Sequence, residues 1–158
     1  MVTGAVDDSN WQYQVTEWLY KRNGLERVYY RGFEPIAQTP LEKLKECPQF
    51  REYRFYQCSF LIRNYGFKTD SLAQIVSDEG FLLNSDPKLA LTNADRDIFP
   101  IALNIATYFE IVRILRVGSL TPKKILATRK NFKINRSADL EQVVGAKLAR
   151  RIRRYVVL

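Results

Sequence analysis

The sequence contains no histidine, and it has only two cysteines among its 158 residues. Without imidazole there is no usual general base or proton shuttle, no Ser–His or Cys–His nucleophile pair, and no metal site built on histidine. Cys47 and Cys58 stand 11 positions apart, a spacing that fits neither a zinc knuckle nor a redox pair. We therefore expect two buried core thiols, a protein that is not an enzyme, no cofactor and no metal.

Long hydrophobic runs are scarce as well. The longest one, residues 98–117, is interrupted by Pro100, Glu110 and Arg113, which a membrane-spanning helix would not carry without partners. The N-terminus also lacks the basic segment and following apolar segment of a secretory signal. These absences predict a cytoplasmic protein that does not bind a membrane.

The rest of the composition, 46% hydrophobic and 27% charged, is typical of a globular protein. A chain of 158 residues corresponds to about one domain, and no linker rich in Ser, Gly or Pro divides it. We expect a single helical domain that spans residues 1–158.

Helix start and stop signals recur along the chain. A first helix is predicted to begin near Asn10 and to end before Gly24, with Trp18 on its buried face. The capping-box pattern at residues 39–42 predicts a short helix, and the periodicity of residues 49–65 predicts a long one. Residues 25–33 are rich in aromatic and β-branched side chains and form at most a short strand.

The hydrophobic tract is expected to belong to a central helix that begins at Thr92 or Asn93 and continues to Val117. Ile105 and Phe109 lie on one stripe of that helix, so Phe109 is predicted to be fully buried. A last helix is predicted to begin at Ser137 and to carry an apolar seam at four-residue spacing: Leu140, Val144, Leu148 and Ile152. The predicted fold is an all-α helical bundle of about seven or eight helices.

Acidic residues are almost absent from the last third of the chain. Residues 1–110 hold 12 Lys and Arg and 15 Asp and Glu, whereas residues 111–158 hold 13 Lys and Arg against only Asp139 and Glu141. The excess of +8 over the whole chain therefore comes from the C-terminal third. A cationic run without interleaved carboxylates repels itself, and a polyanion would relieve the repulsion.

The favoured interpretation is a nucleic-acid-binding surface that contacts the phosphate backbone of RNA or DNA. Lys147, Arg151 and Arg154 are predicted to share one helix face within it. The predicted site lies in residues 113–158 and consists of Arg113, Arg116, Lys123, Lys124, Arg129, Lys130, Lys133, Arg136, Lys147, Arg150, Arg151, Arg153 and Arg154. A structural adaptor that docks on an acidic protein is the second interpretation, and simple solubility of the cationic face is the third.

Three local patterns carry weaker functional hypotheses. Aromatic and arginine residues interleave at 29–31 and 51–56, where base stacking is possible but core packing is favoured. A helix-turn-helix DNA-binding regulator around Gly118 is a less favoured alternative, because the positive residues after it suit phosphates better than base edges. Asp95 and Asp97 could hold a divalent ion, but they are typical of a helix N-terminus, where the helix dipole favours them.

This chain is basic, is predicted to be largely helical and has no recognisable set of catalytic residues. In these respects it is similar to the small helical subunits of CRISPR effector complexes. The similarity extends over the whole chain in size, helicity and polarity, and the clusters at 123–133 and 147–154 match the basic face that this family lays along nucleic acid. The resemblance implies a non-catalytic subunit of an antiviral ribonucleoprotein complex, with other protein subunits and further copies of itself as partners.

Overall fold

The computed structural model describes residues 1–5, 10–94 and 96–158, and only the backbone of residues 10–12. The all-α prediction is confirmed, because the described residues form eight helices and only two-residue strands. The chain divides into two compact units, the N-terminal unit (Met1–Ala94) and the C-terminal unit (Asp95–Leu158).

The N-terminal unit contains the first four helices: α1 (Asn10–Asn23), α2 (Gln49–Tyr65), α3 (Thr69–Ala73) and α4 (Pro87–Ala94). Its strands β1 (Val2–Thr3) and β2 (Arg31–Gly32) pair in parallel. Strand β2 lies inside the segment 25–33, for which the sequence predicts at most a short strand. The bounds of α2 agree with its predicted range, and Gly66 ends this helix in the left-handed conformation, with φ of 65°.

The core of the N-terminal unit is built around Phe55 of α2, which is fully buried. The rings of Tyr13 and Tyr30 stack on Phe55 with centroid distances of 5.3 and 5.4 Å. The hydroxyl of Tyr30 hydrogen-bonds that of Thr16 at 2.8 Å, and burial raises the pKa of Tyr30 to about 12. The aromatic core therefore also contains two buried hydroxyl groups, those of Thr16 and Tyr30, that are hydrogen-bonded to each other.

The predicted buried face of α1 is wrong. Trp18 is 51% exposed, whereas Tyr13 and Thr16 on the opposite side are buried. The sequence pattern misleads here because the buried face carries Tyr13 and Thr16, and the Thr16 hydroxyl is hydrogen-bonded to that of Tyr30. Apolar periodicity does not detect a face that buries a hydrogen-bonded polar residue. The prediction for Cys47 and Cys58 is confirmed, since both are buried free thiols.

The short helix predicted to start at the capping-box pattern of residues 39–42 and to end at Pro48 does not form. Consecutive turns occupy this segment, with the Glu42 N–H donating to the Thr39 carbonyl at 3.1 Å and the Leu44 N–H to the Leu41 carbonyl at 3.1 Å. Leu41 and Leu44 are exposed. A short helix draws most of its stability from packing, and this segment has no buried face to supply it.

The C-terminal unit contains the other four helices: α5 (Tyr108–Arg113), α6 (Leu120–Thr128), α7 (Ser137–Val144) and α8 (Ala146–Ile152). Strands β3 (Ile101–Ala102) and β4 (Val156–Val157) pair in parallel and join the two ends of the unit. The fully or almost fully buried core includes Leu103, Ile111, Ile114, Ile125, Ile134, Leu140 and Ile152.

The single central helix predicted through Val117 is wrong. Helix α4 ends at Ala94, and α5 begins only at Tyr108. Pro100 lacks an N–H and disfavours helical backbone at the preceding residue, which separates the two helices. A capping box then opens α5, in which the Glu110 N–H donates to Thr107 Oγ1 at 3.3 Å and Glu110 Oε2 accepts from the Thr107 N–H at 2.6 Å.

The predicted burial of Phe109 is wrong for the same reason. With the helix beginning at Tyr108, Phe109 is 52% exposed and Ile105, outside the helix, is 81% exposed. Ile111 and Val112 are the fully buried residues of α5 instead.

The predicted last helix is interrupted at Gly145, which separates α7 from α8. Gly145 has φ of 84°, a conformation that side-chain-bearing residues rarely adopt, and its N–H donates to the Glu141 carbonyl at 2.8 Å. The apolar seam survives the break, since Leu140 and Ile152 are fully buried on the two helices. The result is two short helices rather than one continuous helix.

Candidate nucleic-acid interface

The division into units coincides with a division of charge. The C-terminal unit holds 14 Lys and Arg and 5 Asp and Glu, a net charge of +9, whereas the N-terminal unit holds 11 and 12, a net charge of −1. The excess positive charge is therefore carried by one small helical unit.

Helix α8 presents the densest part of this charge. Lys147, Arg150 and Arg151 are exposed, while Ala149 and Ile152 are buried and Leu148 is half-buried. Lys147 and Arg151 are one helical turn apart and share a face. Except for Ala146, every exposed position of α8 is therefore cationic.

The prediction that Arg154 lies on this same helix face is wrong, because α8 ends at Ile152. Arg153 and Arg154 lie in a following 3-10 turn. One guanidinium N–H of Arg153 donates to the Val156 carbonyl at 3.0 Å, and the Arg154 guanidinium lies over the Tyr155 ring at 4.7 Å. Both side chains are exposed but have partners within the unit.

Helix α6 carries a second group of cations. Lys123 and Lys124 are exposed, and Pro122 and Ile125 turn inward. Leu120 lies on the exposed side of the same helix and is 70% exposed. This helix therefore combines two ammonium groups with an apolar side chain on its outer face.

Two of the predicted site residues have structural roles. The half-buried Arg129 donates from one guanidinium nitrogen to the carbonyls of Leu103 at 3.0 Å and Ala106 at 2.6 Å. Arg136 forms an ion pair of 3.0 Å with Asp139. The Arg136 side chain, with the backbone N–H groups of Asn135 and Arg136, holds the pKa of Asp139 below its usual range.

The segment after α6 is fixed at both of its ends. Arg129 anchors the first end, and Ile134 anchors the second through two hydrogen bonds of 2.9 Å with the side chain of Asn104. Between these anchors Lys130 and Lys133 are exposed, and Phe132 is 48% exposed.

Seven of the predicted site residues form no side-chain hydrogen bond or ion pair with any residue that the structure describes. We call these residues the open cations, and they are Arg116, Lys123, Lys124, Lys130, Lys133, Lys147 and Arg151. All seven side chains are exposed. Of the others, Arg113 is half-buried, and Arg150 donates from Nε to the Ala146 carbonyl at 3.3 Å.

The mixed aromatic and arginine segments of the N-terminal unit divide between core and surface. Tyr30 and Phe55 are buried, as the core interpretation predicts. Tyr29 and Tyr53 are 65% and 56% exposed, and the Arg27 guanidinium lies 5.4 Å from the centre of the Tyr29 ring.

No group of three Cys, Asp or Glu side chains that could hold a metal ion occurs within residues 1–5, 10–94 and 96–158. Asp95, one of the two carboxylates considered for a divalent ion, lies outside the described residues. Among the helices that the structure describes, none is long and apolar enough to cross a membrane.

Comparisons with protein-family models, with curated proteins and with solved structures find no match for this chain.

Proposed function

We propose that this protein is a non-catalytic, sequence-independent nucleic-acid-binding protein, and that the C-terminal unit contacts the phosphate backbone. The observation that carries the proposal is the outer face of α8, where Lys147, Arg150 and Arg151 are exposed and no carboxylate is interleaved. Lys147 and Arg151 have no acceptor among the described residues, and phosphate oxygens could serve as acceptors for them.

The open cations extend this argument beyond one helix. Their side chains are exposed on α6, on α8 and on the segments 114–119 and 129–136, and they make no hydrogen bond or ion pair within the described residues. Their charge has to be balanced by solution ions or by a polyanion. Release of those ions on binding a polyanion is a large part of nucleic-acid affinity at low salt.

The resemblance to small helical subunits of CRISPR effector complexes supports a more specific form of the proposal. In that form the protein is a cytoplasmic accessory subunit of an antiviral ribonucleoprotein complex. Other protein subunits, and further copies of the same chain, are its partners beside the nucleic acid.

The salt dependence of binding tests the proposal. Affinity for two mixed-sequence duplexes of equal length should be the same, and the logarithm of the binding constant should fall with the logarithm of salt concentration. A slope of about −4 to −5 is expected if about five phosphates are neutralised. A flat slope, or no binding, would contradict the proposal and favour the adaptor that docks on an acidic protein.

A further inference from the structure

The feature that the proposed function leaves unexplained is the exposed ring of Phe132. It is 48% exposed, while Ile134, two positions later in the same segment, is fully buried. An exposed phenylalanine is by itself ordinary, so its surroundings decide what it can do.

The backbone on both sides of Phe132 is fixed. The Phe132 N–H donates to the Thr128 carbonyl at 3.2 Å, which continues the last turn of α6. On the other side, Asn104 holds both backbone groups of Ile134 at 2.9 Å. A ring presented by a fixed backbone loses little conformational freedom when a ligand binds.

The immediate neighbours of Phe132 are cationic or neutral. Lys130 and Lys133 are both exposed, and both belong to the open cations. An aromatic face beside ammonium groups is the arrangement with which single-strand-binding proteins stack a base and contact the adjoining phosphates.

We infer that Phe132 is a stacking platform for an unpaired base, with Lys130 and Lys133 binding the flanking phosphates, so that the C-terminal unit prefers single-stranded nucleic acid. The inference rests on the proposed function, because stacking alone supplies no long-range attraction. The inference specifies that the bound nucleic acid is single-stranded, a distinction that the charge of the surface alone does not make.

Phe109 provides a matched control. It is 52% exposed in the same unit, but its neighbours in sequence are Tyr108 and Glu110 rather than lysines. Truncation of either ring therefore removes a similar exposed surface, whereas only Phe132 of the two has an open cation next to it in the sequence.

The test compares Phe132→Ala, Phe132→Trp and Phe109→Ala on three probes: a mixed-sequence single-stranded DNA 12-mer, the same strand as a duplex, and a 12-mer abasic sugar-phosphate strand. Phe132→Ala should weaken binding of the single strand by roughly 5- to 100-fold and leave the other two probes unchanged. Phe132→Trp should bind the single strand at least as tightly as the wild type, and Phe109→Ala should match the wild type on every probe.

Equal weakening on all three probes, or no weakening on the single strand, would overturn the role of Phe132 while leaving backbone binding in place. Failure of the wild type to bind any probe would overturn the proposed function and this inference together. Thermal unfolding of each variant shows whether the fold is retained, which the exposure of both rings leads us to expect.

Discussion

Asn104 pairs with the backbone of Ile134 in both directions. Its amide nitrogen donates to the Ile134 carbonyl at 2.9 Å, and its amide oxygen accepts from the Ile134 N–H at 2.9 Å. The fully buried Ile134 thereby satisfies both backbone groups through one side chain. The pair ties the loop before α5 to the loop that carries Lys130, Phe132 and Lys133.

Replacing Asn104 with alanine should therefore destabilise the protein. The change leaves the N–H and the carbonyl of Ile134 without their partner, which costs about 1–3 kcal/mol for each buried group left unsatisfied. Urea unfolding followed by circular dichroism measures the loss. Asn131→Ala is the control, because the Asn131 side chain is exposed, and a midpoint as low as that of Asn104→Ala would contradict the assigned role of the pair.

Substitution of Arg129 should mainly affect stability, whereas substitution of the adjacent Lys130 should mainly affect nucleic-acid binding. Arg129→Gln removes charged hydrogen bonds to the carbonyls of Leu103 and Ala106, so it should lower the free energy of unfolding by about 1.5–3 kcal/mol. Lys130→Gln should change stability by less than about 0.5 kcal/mol and should weaken nucleic-acid binding. Unfolding midpoints and binding curves of the two variants measure these effects. An equal loss of stability in both variants would contradict the distinction between a structural Arg129 and an open Lys130.

The lowered pKa of Lys88 should make the stability of the N-terminal unit depend on pH. Burial lowers the pKa of Lys88 from 10.5 to about 8, against an opposing effect of the Asp86 carboxylate, and the ammonium group lies 4.8 Å from the centre of the Tyr65 ring. The unfolded chain binds more protons than the folded one between these two values. Stability contributed by this site should therefore rise as pH rises from about 8 to 10.5.

The measurement is the free energy of unfolding of the wild type minus that of Lys88→Met at pH 7.5 and at pH 10. The difference should move in favour of the wild type at the higher pH, because the cost of charging a buried amine is then absent. Lys68→Met, at an exposed side chain of the same unit, is the control for the loss of a lysine. A pH-independent difference for Lys88→Met would show that the amine titrates normally.

The spacing of apolar residues in the sequence correctly predicted the helices whose buried side chains are mainly apolar. Helix α2 has its expected bounds because its inward positions, Ser59 apart, are apolar or aromatic, and the α7–α8 seam keeps Leu140 and Ile152 buried. The face of α1 was predicted wrongly because its buried positions include Tyr13 and Thr16, and the Thr16 hydroxyl is hydrogen-bonded to that of Tyr30. The central tract was predicted wrongly because hydrophobicity alone does not distinguish one helix from short pieces packed around a core.

The charge of the candidate site was visible in the sequence, but the separation of open cations from structural ones was not. Arg129 and Lys130 are equivalent in a charge count, and only the carbonyl groups that surround Arg129 distinguish them. Phe132 was missed, although its position between Lys130 and Lys133 was the available signal. The Asn104–Ile134 pair, which fixes the backbone two positions after Phe132, joins residues 30 positions apart and is not visible in the sequence.

The central claim, that the C-terminal unit is the nucleic-acid contact surface, is tested most directly by a charge-reversal comparison. Lys147→Glu/Arg151→Glu reverses two exposed cations of α8, and Lys43→Glu/Lys45→Glu makes the same change of charge at exposed residues of the N-terminal unit. The binding constant for one duplex is measured against salt concentration for both double variants. The α8 variant should bind more weakly and show a salt slope reduced in magnitude by about 2, while the control keeps the wild-type slope. Equal slopes for the wild type and both variants would contradict the claim.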